Sequence, residues 1–488
     1  MSMNKGKSLY ANYLYNVASQ LLGIIVPLIT APYMARVLRE AGNGQIAFVN
    51  SVVAYFVSFA GFGFSLYGQR EISKSKDDKD RICILFSELF WIRLIFCIVS
   101  LAIYLLLVST PLIGNEYKLL ALINSIQIIS VVFDIQFLYQ GMEDFKTVAI
   151  RTILVRLISV VSMFLFIHSP EDVWKYLLYY SIIGLISNLV LWPRIKIEIT
   201  LKKVNIIALK KHMVPALFIF LPVLSGTIFS VLDSTMIGYL ASNPEYENGC
   251  YGSALKLINI VSAIVMADGL VFAARNARDN AVGNYDSLAR HIKLGFRYVW
   301  IIGFPIIGGL LTLSSRISIF VFGDGYEKVP LLLQIFTVRV LAHGLMNVVG
   351  NQYFLPTGRE NLCTIVNFIG IITNILLNIV LIPRGGCIGA AIASVISETI
   401  LIAIYIIVFI RERKYWNASL FLQSYKYIFS TIVMSLVVLL VNKILEQNII
   451  SLMIVVVLGA TIYSGSLLLL KDEMAIYAIR KVLGRYKR

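Results

Sequence analysis

Apolar positions in this chain come in runs of about 20 residues, separated by short polar turns, and the first two runs set the pattern. Between Tyr15 and Ser73 two such runs are joined by a polar hairpin from Arg36 to Gly44. A helix crosses a bilayer with about 20 apolar residues, so this stretch predicts a pair of membrane helices. The same spacing predicts fourteen spans, near 11–34, 44–66, 83–108, 117–140, 145–167, 173–193, 213–240, 251–274, 293–315, 330–355, 361–383, 387–410, 424–442 and 449–470. The segments between them are short, which leaves no room for a separate extramembrane domain. The first run is span-length and leads into a second, so it reads as a helix rather than a cleavable signal.

Polar residues interrupt the runs at helical spacing. In the first span Asn12, Asn16, Ser19, Gln20, Gly23 and Pro27 share one face. Asn124, Gln127, Asp134 and Gly141 do so in the fourth. Thr152, Arg156 and Ser159 form the stripe of the fifth, and Pro222, Ser225 and Asp233 that of the seventh. The eighth carries Ser253, Lys256 and Asn259, the tenth Arg339, His343, Asn347 and Gly350, and the eleventh Asn367, Gly370, Asn374 and Asn378. A single Asn or Ser in such a stripe is explained by hydrogen bonding between helices. A charge at mid-span is different, because at the helix centre it costs roughly 2.5–3.5 kcal/mol on insertion scales. Arg93, Arg156, Lys256, Arg339, Asp134, Asp233, Asp268 and Glu398 are therefore expected to face an aqueous interior. Glu88, five residues before Arg93, is the alternative partner for that arginine.

Composition agrees with this class. The chain has 488 residues, 58% hydrophobic and 14% charged, with a mean hydropathy of +0.80. Soluble domains carry about 25% charged residues. The net charge of +16 would suit nucleic acid, but its placement argues for topology instead. With the N-terminus inside, 31 of the 43 Lys and Arg fall in segments on that side, eight on the other and four within spans. That asymmetry predicts both termini in the cytoplasm. The basic loops then face anionic lipid head groups, and no nucleic-acid partner is expected. The five cysteines have neither metal-ligand nor disulfide-framework spacing.

Two sequence shifts suggest an internal repeat. A shift of 208 lays Gly44, Gly61 and Arg70 over Gly252, Gly269 and Arg278. A shift of 217 lays VVFDIQFLYQG over VVGNQYFLPTG. Both map the first six spans onto the next six. The expected fold is therefore all-α and polytopic, with two parallel six-helix lobes plus two C-terminal helices. Its parts are an N-terminal lobe over 1–193, a basic cytoplasmic linker over 194–212, a second lobe over 213–410, two further helices over 411–470 and a basic tail over 471–488. Gly61 and Gly269 are expected at equivalent positions where helices approach closely.

Catalytic motifs are missing from the sequence. Gly6-Lys7-Ser8 looks like the end of a phosphate-binding loop, yet no strand precedes it. The four histidines are scattered, and no serine-nucleophile elbow occurs. An enzyme is not expected.

Several stretches carry a family resemblance: NVASQLLGIIVPLITAPYMARVL, GNGQIAFVNSVVAYF, GFGFSLYGQREIS, FDIQFLYQGMEDF, LPTGREN and IPRGGCIGAAIASVISE. Together they resemble the Wzx-type polysaccharide repeat-unit (O-antigen) flippases of the multidrug/oligosaccharidyl-lipid/polysaccharide exporter superfamily. The resemblance implies a multi-pass protein of the bacterial inner membrane. Its substrate would be an oligosaccharide on undecaprenyl diphosphate, moved from the cytoplasmic to the periplasmic leaflet by alternating access. It implies membrane lipids as surroundings, with a polysaccharide polymerase and a chain-length regulator as partners. No cofactor is called for beyond a coupling ion, H+ or Na+. On this view Arg156, Lys256, Arg339, His343 and Arg93 meet the anionic head or sugars, aided by Asn16, Gln20, Asn124, Gln127, Asn259, Asn347 and Asn374. Asp134, Asp233, Asp268 and Glu398 are cation-coupling groups or counter-ions. Two other classes are weighed against it. A cation-coupled drug or small-molecule antiporter would use the same fold, though that branch usually has twelve spans. A membrane glycosyltransferase or polymerase would need a sizeable outer loop.

Overall fold

In the computed structural model, the residues described are 2–194, 206–412, 415 and 417–482; side chains are described for these except 2–21, 24, 194, 206–208, 270 and 478–482. The chain divides into two compact units, Met1–Gly252 and Ser253–Arg488. The described residues are helical throughout, without a strand.

The first unit begins with α1 (Ser2–Gly61), far longer than one crossing requires. At 1.5 Å per residue a straight helix of that length would measure about 90 Å. It turns back at Arg39, whose φ is 56° and ψ −175°. This is the polar hairpin expected from the sequence. Asn43 stabilises the turn by donating from Nδ2 to the carbonyls of Met34 (3.0 Å) and Arg39 (2.8 Å). Gly44 is required there, because a Cβ would lie 1.7 Å from the Glu245 carbonyl oxygen.

After α1 come α2 (Phe64–Lys74), α3 (Lys79–Ser109), α4 (Asn115–Val132), α5 (Gln136–Gly141), α6 (Phe145–Phe166) and α7 (Val173–Leu189). α8 (Ile206–Leu240) follows, and α9 (Pro244–Val265) starts in this unit. Phe62 and Gly63 break the line between α1 and α2, with φ of 38° and 71°. A Cβ on Gly63 would sit 2.9 Å from the Phe220 backbone nitrogen, so glycine serves both the positive φ and the approach of α8. The Phe62 ring stacks on Phe220 at 4.5 Å between centroids. Buried aromatic and aliphatic side chains pack around this break and make an apolar core of the unit.

The second unit continues with α10 (Gly269–Ala281), α11 (Tyr285–Phe322), α12 (Val329–Ile335) and α13 (Thr337–Met346). A π-helical stretch, Asn347–Phe354, carries on from α13. α14 (Glu360–Glu412) reverses at Gly386, φ 55°, inside the segment IPRGG. α15 (Ser419–Leu422), α16 (Ser424–Ile444), α17 (Ile449–Leu469) and α18 (Glu473–Val482) complete the chain.

Ten helices among the described residues are long and apolar enough to cross a membrane. Two of these stretches, Ile25–Lys74 and Glu360–Glu412, contain the reversals at Arg39 and Gly386 and so run out and back. The tenth expected span is not one helix: α12, α13 and the π-helical stretch share it. The fourth is divided as well, with Asp134 in the break between α4 and α5 rather than on a continuous face.

Candidate functional site

In the first unit the two helix breaks meet around a cavity of about 550 Å³ whose wall mixes apolar side chains with polar groups. Its walls include Ser58, Gln127, Ser130, Asp134, Gln136 and Asn188, with Arg93 beneath them. Arg93 is only 2% exposed. It donates to the Asp134 carbonyl, to Ser65 Oγ at 3.3 Å and to Asp134 Oδ2 at 3.5 Å. The Asp134 side chain keeps 27% of its surface open to the cavity. An arginine thus ties the first turn of α2 to the non-helical α4–α5 break, with a carboxylate beside it where it is buried.

The alternative partner for Arg93 is ruled out by geometry. Glu88 accepts from Lys211 Nζ (2.7 Å) and meets His212 Nε2 (2.8 Å), and His212 Nδ1 meets the Tyr67 hydroxyl (2.8 Å). Five residues along a helix turn through about 140°, so Glu88 and Arg93 leave α3 in different directions. Gly61 is corrected too: a Cβ there would meet nothing within 4 Å, and Gly61 lines the cavity instead of allowing close approach.

Asn124 and Gln127 belong to one network. Asn124 donates to Asn50 Oδ1 (2.9 Å), and Gln127 donates to Asn124 Oδ1 (2.9 Å). Only Gln127 reaches the cavity, because Asn124 is fully buried. Arg156 is half-buried on α6, and a Cβ at Gly23 of α1 would lie 3.2 Å from its Nη1. Asp233 accepts from the Tyr251 hydroxyl. Asn16 and Gln20 lie outside the residues whose side chains are described.

The second unit distributes its polar groups differently. Arg339 is buried and pairs with Glu398 at 2.7 Å, while His343 Nε2 stands 3.4 Å from the same carboxylate oxygen. Sequence reasoning offered Arg339 to a substrate; it is occupied by a fixed partner. The α9–α10 break holds Asp268. Its carboxylate accepts from Asn347 Nδ2 (3.4 Å) and Gln352 Nε2 (3.3 Å), both on the π-helical stretch, and pairs with no cationic side chain among the described residues. Gly269 makes room for that contact, since a Cβ would lie 2.4 Å from Asn347 Oδ1. Asn276 ties the stretch to α10 through the Gln352 carbonyl at 2.7 Å. Asn374 donates to Ser394 Oγ (3.3 Å) and accepts from Asn378 (3.0 Å), a buried bridge across the two arms of α14. Lys256 and Asn259 are both exposed on α9. On a helix of this type an exposed lysine needs water or an anion beside it.

Sequence reasoning missed Gln136, Asn188 and Ser58 as cavity residues. Gln136 and Asn188 were visible as polar groups near the ends of expected spans, but no periodicity linked them to Asp134. No group of three or more His, Cys, Asp or Glu among the described residues is arranged to hold a metal ion.

Comparison with known proteins gives the same class. A family model described as polysaccharide biosynthesis protein matches residues 9–291. The putative O-antigen transporter of Escherichia coli K12 is 22% identical over 418 residues, covering 84% of this chain and 99% of that protein. Among solved structures, the lipid II flippase MurJ in an inward closed conformation superposes with a TM-score of 0.68 at 15% identity, over 97% of this chain and 99% of that one. An inward-facing multidrug resistance MATE family transporter of the MOP superfamily gives 0.62 at 14% identity, over 80% and 98%. At these identities the structural likeness is one of fold.

Proposed function

The chain belongs to the polysaccharide biosynthesis protein family, and from that membership we propose that it is a multi-pass flippase for surface-polysaccharide repeat units. The substrate in this reading is an oligosaccharide carried on undecaprenyl diphosphate, moved from the cytoplasmic to the periplasmic leaflet of a bacterial inner membrane. The observation that carries the reading is the match, over 84% of this chain and 99% of the relative, to a protein named a putative O-antigen transporter. The cavity supports it physically: sugars need many donors and acceptors, and hydroxyl, amide and carboxylate groups line its wall. Lys256, exposed on α9, is the cation we assign to the anionic head. Arg339 and Arg93 are better read as structural, each with a carboxylate already bound.

The same division sorts the acidic residues. Asp134 and Glu398 are counter-ions to buried arginines. Asp268 touches only amides among its described contacts, so it is our candidate for the coupling proton or cation. We also propose that the two lobes are repeats. The break at Phe62–Gly63 corresponds under the 208 shift to positions 270–271, two to three residues beyond Asp268 and within the first turn of α10. The break at Phe133–Ile135 corresponds under the 217 shift to the middle of the π-helical stretch. Both termini in the cytoplasm follow from the charge asymmetry.

Deleting the gene tests the reading in the cell. Lipid-linked repeat units should then accumulate on the cytoplasmic leaflet, protected from an external glycosidase, and the surface polymer should disappear. Normal polymer in the deletion strain, with no other flippase gene present, would remove the assignment.

A further inference from the structure

A second cavity, about 530 Å³, lies in the first unit on the exposed face of α2. Gln69, Arg70, Ser73 and Lys74 line it from α2, and Gln140 and Phe145 from across the α5–α6 turn. The face is set by helical spacing: Phe64, Tyr67, Gly68 and Ile72 are buried, and the residues between them point outward. Leu66 lines this cavity and also the larger one, so the two lie along the same short helix.

The charges of this cleft are uneven. Lys74 is held by Glu71 at 2.6 Å, and Lys76 by Glu143 at 2.7 Å. Arg70 is exposed and has no carboxylate partner among the described residues. The cleft therefore offers one unneutralised guanidinium, a hydroxyl, two side-chain amides and an ammonium that can change partners. A guanidinium donates two parallel hydrogen bonds to a phosphate. Phe145 and Leu66 give the same cleft an apolar wall.

We propose that this cleft is a docking site for the phosphate groups of a lipid head, with Arg70 as its anchor, at the loop end of the larger cavity. Four of its lining residues belong to the basic segment 67–82, which the charge asymmetry assigns to the cytoplasmic leaflet. Two lipids share this chemistry: a polyprenyl diphosphate carrier and an ordinary anionic phospholipid. The carrier is the occupant we infer, which rests on the flippase reading above. The second phosphate accounts for the additional donors at Ser73, Gln69 and Gln140.

The test uses the full chain in detergent, with native mass spectrometry of bound lipid. The probes are a medium-chain polyprenyl diphosphate and phosphatidylglycerol of similar apolar length. Arg70→Ala should weaken the diphosphate about tenfold or more while leaving phosphatidylglycerol within about twofold. Arg70→Lys should recover part of the loss, because the charge returns without the paired donors. Arg70 is exposed, so the variants should retain wild-type melting, which the same samples report. Equal weakening of both lipids would overturn the carrier as occupant, and unchanged diphosphate binding in Arg70→Ala would overturn the site. If the wild type binds no diphosphate at all, both the site and the flippase reading fail. If it binds and Arg70→Ala binds equally, only the site fails.

Discussion

Both units break a helix beside a carboxylate, and they neutralise that carboxylate in different ways. In the first, Asp134 is met by Arg93, which also ties down Ser65 next to the other break. In the second, Asp268 is met by the amides of Asn347 and Gln352, while a buried arginine of that unit, Arg339, serves Glu398. The first arrangement is closed: the carboxylate has a guanidinium of its own beside it. The second is open, because two amides donate hydrogen bonds but supply no charge. In the function proposed above, this is the carboxylate that takes up the coupling proton or cation. One unit is thereby fixed and the other is sensitive to what the surroundings supply.

Breaking the closed site should have the largest effect. Arg93→Ala leaves the Asp134 carbonyl without its donor, and the Asp134 carboxylate, still bonded by Ser65 Oγ and the Gln136 N–H, without the guanidinium beside it. Loss of one partner of a buried pair costs about 3–5 kcal/mol, so the membrane should contain several-fold less protein by immunoblot. Arg93→Ala with Asp134→Asn should restore much of that abundance. Equal abundance in the single and double variants would mean that charge balance is not what Arg93 provides.

The Arg339–Glu398 pair should behave in the same way but more weakly, because His343 stands by as a second cation for Glu398. Arg339→Ala is expected to lower abundance less than Arg93→Ala, and Arg339→Ala with His343→Ala to match it. Melting of the detergent-solubilised variants measures the order.

Gly63→Ala tests the backbone of the first break. An L residue at φ +71°, with a Cβ 2.9 Å from a backbone nitrogen, should cost about 1–3 kcal/mol. Gly61→Ala, two residues away with open space around it, should change melting by less than about 1 kcal/mol. A reversed order would contradict the account of this turn.

The smallest structural effect belongs to the open site. Asp268→Asn removes a charge that no cationic side chain among the described residues balances, so abundance and melting should be unchanged or slightly raised. Transport, by contrast, should lose its dependence on the ion gradient. A fall in abundance comparable to that of Arg93→Ala would show a fixed partner and erase the contrast between the units.

The sequence carried the span lengths, the reversals and the mid-span charges. Each follows from a local rule: 20 apolar residues, a polar turn, or a charge in an apolar run. The reversal at Gly386 was legible because Pro383, Gly385 and Gly386 cannot continue a regular helix easily. The pairing was not legible. Arg93 bypasses Glu88 for a residue 41 positions away, and Glu88 is claimed by Lys211 and His212, more than 120 positions away. Helical spacing gives the face of a residue but not which helix packs there. The breaks were hidden for a related reason. The span at 330–355 is apolar enough to read as one helix, and its π-helical stretch is held by Asn276 of another helix. Asp134 looked like part of a regular stripe for the same reason.

The most direct test is flipping in a reconstituted system. Purified protein in liposomes is given a fluorescent lipid-linked oligosaccharide, and an impermeant reductant reads the leaflet that holds it. The account predicts redistribution across the bilayer in wild-type proteoliposomes, none in protein-free liposomes, and loss of the gradient-driven part in Asp268→Asn. Redistribution no faster than in protein-free liposomes, from protein shown to be folded by its melting, would contradict it.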